Sequence, residues 1–126
     1  MHPSLLHAAR GAALSGPGVG RKAAYKMGAV LAYGKHPIST GYNSYKTHPY
    51  VARHCEYPYL HAEMAAILAA GLDNCQGSVL ACVRLRKDGT YGMARPCANC
   101  LNMIRAVKIK KVFYTTNQQT VEVLRL

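Results

Sequence analysis

The amino-acid sequence predicts an α/β fold: a mixed β-sheet layered with helices on both faces. Three observations predict it. Residues 4–14 carry apolar side chains at helical spacing. Two short runs, 27–33 and 36–42, meet at Gly34-Lys35 and read as a hairpin. Downstream, helix-period segments alternate with runs rich in Val, Leu and Ala, an order that layers helices on a sheet with right-handed, parallel crossovers.

In chain order, Leu5, Leu6, Ala9, Ala12 and Ala13 form the apolar face of the first helix, with His7 and Arg10 elsewhere. Ser15-Gly16-Pro17-Gly18 stops it. Residues 20–26 read as a basic loop, and 27–33 as a buried strand that returns through 36–42. Residues 43–59 are polar and aromatic, and Pro49 and Pro58 argue against a helix there. A loop of this length in a small domain is usually functional. A helix spans 60–70 and ends at Gly71. After a turn at 73–77, residues 78–85 form a strand, and Arg86-Lys87-Asp88-Gly89 makes a hairpin-like turn. Residues 97–106 form a helix with Cys100, Leu101 and Ile104 inward. Strands at 112–115 and 121–124 complete the chain.

At 126 residues, with half of them hydrophobic, the chain suits one domain, 1–126, with a real core. No apolar run approaches the roughly 20 residues that span a bilayer, so no membrane partner is expected. Five cysteines is an odd number. Cys55, Cys75 and Cys82 cannot all pair once Cys97 and Cys100 are otherwise engaged, which fits a reducing, cytoplasmic compartment. Cys82 reads as plain core. Sixteen Lys and Arg face five acids, for a net charge of +11, and the first acid is Glu56. That balance favours phosphorylated or polyanionic partners, against the plainer alternative of general solvation.

The chemistry is carried by Leu60-His61-Ala62-Glu63 and Pro96-Cys97-Ala98-Asn99-Cys100. Together they read H-x-E and P-C-x-x-C, the known signature of zinc deaminases that act on nucleobases. His61, Cys97 and Cys100 supply one imidazole and two thiolates. Three such ligands leave a fourth position of a catalytic zinc ion open, whereas a structural site is normally closed by four. Zinc held this way lowers the pKa of a water to about 7, giving a nucleophile at neutral pH. Glu63 is then the proton shuttle, to the ring nitrogen and on to the leaving amine. Residues two apart on a regular helix point about 200° apart, so His61 and Glu63 converge only if His61 lies at the helix start. Pro96 likewise suits a helix start, with Cys97 and Cys100 on one face of the first turn. The site should lie where the two helices begin, at one edge of the sheet.

From about residue 27 to 115 the chain resembles the cytidine and deoxycytidylate deaminase superfamily, in its small CMP/dCMP-type branch. The hairpin, Gly41-Tyr42-Asn43, Lys46-Thr47-His48-Pro49, the two motifs above and Lys111-Val112-Phe113-Tyr114 carry the likeness. The resemblance implies Zn2+ as cofactor and a homo-oligomer. It implies a sugar contact from Asn43, a base contact from the backbone of Ala62, and a pocket wall from Tyr114, which otherwise reads as a core aromatic. Position alone places Lys46, His48 and Arg53 as phosphate partners.

Three functions are open to such a chain. It could hydrolyse a cytosine nucleotide or nucleoside, dCMP foremost, to the uracil product and ammonia. It could act on cytosine in single-stranded nucleic acid, or on adenosine in tRNA, as the charge and the interleaved tyrosines favour. A non-catalytic zinc protein is disfavoured by the intact Glu63 and the missing fourth ligand.

Overall fold

The structure, a computed structural model, describes residues 1–19, 26–44 and 60–126. Strand β1 (Lys26–Tyr33) turns at Gly34 into β2 (His36–Tyr42). Helix α1 (Pro3–Ser15) precedes this hairpin and α2 (Ala62–Ala70) follows it. Then come β3 (Val79–Leu85), a two-residue β4 (Tyr91–Gly92), α3 (Ala98–Ala106), β5 (Lys111–Thr115) and β6 (Val121–Arg125). The sheet order is β2-β1-β3-β5-β6, with β4 beside β3.

The two-residue period of the inner strands sorts their side chains between two cores. On one face Leu5, Ala9 and Ala13 of α1 pack on Val30 and Ala32 of β1 and on Val79, Ala81, Val83 and Leu85 of β3. On the other face Ala29, Leu31, Leu80, Cys82, Val112 and Tyr114 pack beneath α2 and α3. Helices therefore do cover both faces. Close approach is enforced by absent side chains. A Cβ at Gly28 would run into the backbone of Ala9 and Ala13, and one at Gly41 into the backbone of Ala62 and Ala66.

Four details differ from expectation. First, the crossovers are not alike. β3 and β5, joined through α3, pair in parallel as expected. β2 and β3, joined through α2, are parallel as well, since both run antiparallel to β1, but they are not neighbours. The hairpin has already placed β1 between the two ends of that crossover. Second, α3 turns Cys100, Met103 and Ile104 inward, while Leu101 is only half-buried. Third, the Arg86–Gly89 turn returns as a real strand. Arg86 N–H donates to Thr90 O (2.8 Å), and Asp88 Oδ1 accepts from Thr90 N (2.9 Å). The short 3₁₀ turn Leu72–Asn74 was not expected either. No helix among the described residues is long and apolar enough to cross a membrane.

Candidate metal centre

Two helix starts build the site. His61 is the N-cap of α2, with extended backbone (φ −75°, ψ 151°), while its carbonyl already accepts from Ala65 N (3.0 Å). Its ring is thus freed from the helical repeat, and Glu63, inside the first turn, can share its side. Cys97 plays the same part for α3. It is an extended N-cap (φ −68°, ψ 167°) whose Sγ accepts from Cys100 N at 3.5 Å. Pro96 therefore stands one residue before the cap, not at the first helical position. Cys100 follows one turn in, fully buried.

The side chains of His61, Cys97 and Cys100 converge. One donor atom from each lies within 4.8 Å of the other two. Ligands around a tetrahedral zinc ion sit roughly 3.3–3.8 Å apart, so a small inward movement completes the group. His61 is shared between the sulfurs: Nδ1 lies 3.1 Å from Cys100 Sγ, and a hydrogen bond to Cys97 does most to raise its pKa against the opposing effect of burial. Cys97 is lowered to about 4, first by a hydrogen bond from the Cys100 side chain and then by one from His61. A thiolate at neutral pH is the form that binds metal.

Glu63 lies over this group at 2 % exposure. Burial raises its pKa, while the His61 charge pulls the other way. Its Oε1 is sealed from solvent with no hydrogen-bond partner among the described residues. A buried acceptor left unmet is costly, and it marks a place where a proton-bearing atom belongs. The soft donor set and this orphaned oxygen both fit a zinc ion with a water on its fourth side.

The wall of the site is the sheet. Strand register sets Gly41, Ala29, Cys82 and Tyr114 in one row, and Met27 and Arg84 in the next. The Cys82 thiol is driven well up, by burial first and by the Glu63 charge second. It is therefore a neutral wall of the site as well as core. The donors gather where α2 and α3 begin, over the face of the sheet that carries Ala29, Cys82 and Tyr114.

The other expected residues divide. Ala62 is buried in the first turn of α2, against Gly41. Asn43 is buried at the end of β2, where its Oδ1 accepts from Met27 N (2.9 Å) and its own N–H donates to Met27 O (3.3 Å). That puts it beside the Met27–Arg84 row, one strand step from Cys82. Tyr114 is core, on the same face of the sheet as Cys82. It is 5 % exposed, its hydroxyl donates to Glu122 Oε2 (3.2 Å), and the Arg95 guanidinium lies 5.9 Å from its ring centre. His48, Lys46 and Arg53 lie outside the described residues, as does most of the 43–59 loop.

Sequence reasoning passed over Arg84, Arg95 and Glu122. Arg84 had a signal: it continues the Leu80, Cys82 alternation, a charge on the inward face of an apolar strand. Its side chain lies across Gly92, where a Cβ would come within 2.9 Å of it. Arg95 and Glu122 had none, because only the fold brings β6 and the 93–97 segment to Tyr114.

Residues 2–116 match the family described as cytidine and deoxycytidylate deaminase zinc-binding region. The chain belongs to this deaminase family. With a zinc-binding region matched and three donors gathered to hold a metal ion, the cofactor of this family member is zinc. No curated protein matches the chain in sequence. Solved structures share the fold. A dCMP deaminase from the cyanophage S-TIM5, in apo form, is 24 % identical with a TM-score of 0.64, covering 92 % of this chain and 86 % of that one. The same enzyme in complex with dCMP and dUMP gives 23 % and 0.62, over 92 % and 84 %. A cytidine deaminase from Burkholderia pseudomallei gives 22 % and 0.67, over 99 % and 92 %.

Proposed function

We propose that this deaminase removes the exocyclic amino group of cytosine in a free nucleotide or nucleoside, dCMP foremost, by hydrolysis to the uracil product and ammonia. One observation carries the reading: a buried carboxylate with an unmet oxygen stands beside three converging metal donors.

His61, Cys97 and Cys100 hold the zinc ion. Bound there, zinc makes a water acidic enough to attack at neutral pH. Glu63 Oε1 takes the proton from the attacking water and gives it to the ring nitrogen. The same oxygen then moves the remaining proton of the added hydroxyl to the departing amine, so that the C–N bond breaks, the carbonyl forms, water is consumed and ammonia is released. Burial favours the protonated form of Glu63, which suits a group that must hold a proton between two transfers. Cys82, kept neutral, adds no competing charge. Asn43, Ala62 and Tyr114 bound the substrate, and His48 joins them on sequence grounds alone.

The net charge of +11 and the dCMP and dUMP bound by the cyanophage relative support a phosphorylated substrate. The same charge favours a second reading, a deaminase of cytosine in single strands or of adenosine in tRNA. Ammonia release from dCMP, cytidine and a cytosine-bearing oligonucleotide separates the two. Brisk dCMP turnover with no oligonucleotide turnover supports the first, and the reverse result removes it. A homo-oligomer and a single domain over 1–126 are part of the proposal, on resemblance and on length.

A further inference from the structure

Among the described residues, Arg84, Arg86 and Arg95 stand towards the site end of the sheet, and their surroundings differ. Arg86 gives its guanidinium to Asn117 Oδ1 at 2.6 Å. Arg84 is half-buried across Gly92. Arg95 is exposed, and its one side-chain interaction among the described residues is with the face of Tyr114, at 5.9 Å. Among the described residues it has no ion pair, and its guanidinium carries five donors.

Its place is nevertheless fixed. Ala94 on one side is buried and donates its N–H to Thr115 O (2.9 Å), and Pro96 on the other is buried beside Cys97. The platform is fixed as well. Tyr114 is locked by its hydroxyl bond to Glu122, and it lies in register with Cys82, which feels the Glu63 charge. A planar cation thus lies over a fixed aromatic, two residues from the metal donor Cys97. Stacking on an aromatic face leaves a guanidinium's edge free for two parallel hydrogen bonds to a phosphate.

We infer that Arg95, set over Tyr114, is the specificity residue that grips the substrate's phosphate, so that this site takes a cytosine nucleoside monophosphate in preference to the bare nucleoside. The inference rests on the function proposed above and names the substrate class of that site.

The test measures binding, so that it does not depend on turnover. The zinc-loaded protein is titrated with dUMP and with deoxyuridine, as wild type, R95Q, R95K and R105Q. Arg105 lies exposed in the last turn of α3, and R105Q removes the same charge away from the site. Wild type should bind dUMP about ten- to a hundredfold more tightly than deoxyuridine, the range of a charge-assisted hydrogen-bonded contact. R95Q should abolish that difference and leave deoxyuridine affinity unchanged. R95K should restore part of it and R105Q should keep it whole. The inference is overturned if wild type does not distinguish the two ligands, if the difference survives R95Q, or if R95Q weakens both alike. The parent reading fails by a separate sign: no ammonia from any free cytosine substrate, whatever binds.

Discussion

Glu63 is a carboxylate in a place that would suit an apolar residue, and its replacement separates chemistry from architecture. E63Q keeps shape and packing while removing proton transfer. Turnover of dCMP should fall by about 10²–10⁴-fold. Zinc content, read by elemental analysis, should stay at the wild-type level, and loss of zinc with activity would instead make Glu63 a support for the metal group. The cysteines make a second prediction. A depressed thiol is ionised above its pKa and neutralised as pH falls through it. In zinc-stripped protein, alkylation of Cys97 should therefore hold steady from neutral pH down towards 5 and decline near 4. Cys75 and Cys82, raised by burial, should resist alkylation until unfolding. Mass spectrometry of the labelled peptides reads both, and zinc should protect Cys97. The donors were legible in the sequence because local spacing fixes them. Arg95 and Glu122 were not, since their meeting at Tyr114 depends on strand order.

The helices were legible as elements, and their starts less so. Apolar periodicity marks Leu5, Ala9 and Ala13, and Gly71 ends α2, but a cap is a matter of backbone angle. The 60–70 segment thus begins two residues later than its pattern suggests, and that shift is what frees the His61 ring. Strand β4 escaped notice because two residues carry no period. Two glycines allow a test at this scale. G28A forces α1 away from the sheet and should cost about 1–3 kcal/mol of stability. Zinc affinity should be unchanged, because α1 packs on the opposite face. G41A pushes on Ala62 and Ala66 and should cost a similar amount while also weakening zinc binding, because α2 carries His61. Thermal melts and a competitive zinc chelator measure the two effects. Equal zinc affinity in both variants would break the link between α2 seating and the donor group.

For the molecule as a whole, metal and fold are linked. A ligand that binds only the folded chain adds stability by mass action, about 4 kcal/mol at a thousandfold excess over its dissociation constant. Stripping zinc should therefore lower the melting temperature measurably, and re-adding it should restore the original value. The net charge of +11 was plain from composition, whereas its arrangement was not. A mixed sheet with helices on both faces was legible because the inner strands read as near-continuous apolar runs. The antiparallel landing of β3 beside β1 was not, since nothing local to either strand names its neighbour.

One sulfur serves twice. The Cys97 Sγ that closes the first turn of α3 also belongs to the donor group. Once a zinc ion claims its electrons, the seam between that helix and the sheet tightens along with it. Scarcity of the metal would then be felt as fraying at one corner of the molecule, giving thiol-reactive chemistry a foothold well before the remainder of the structure loosened.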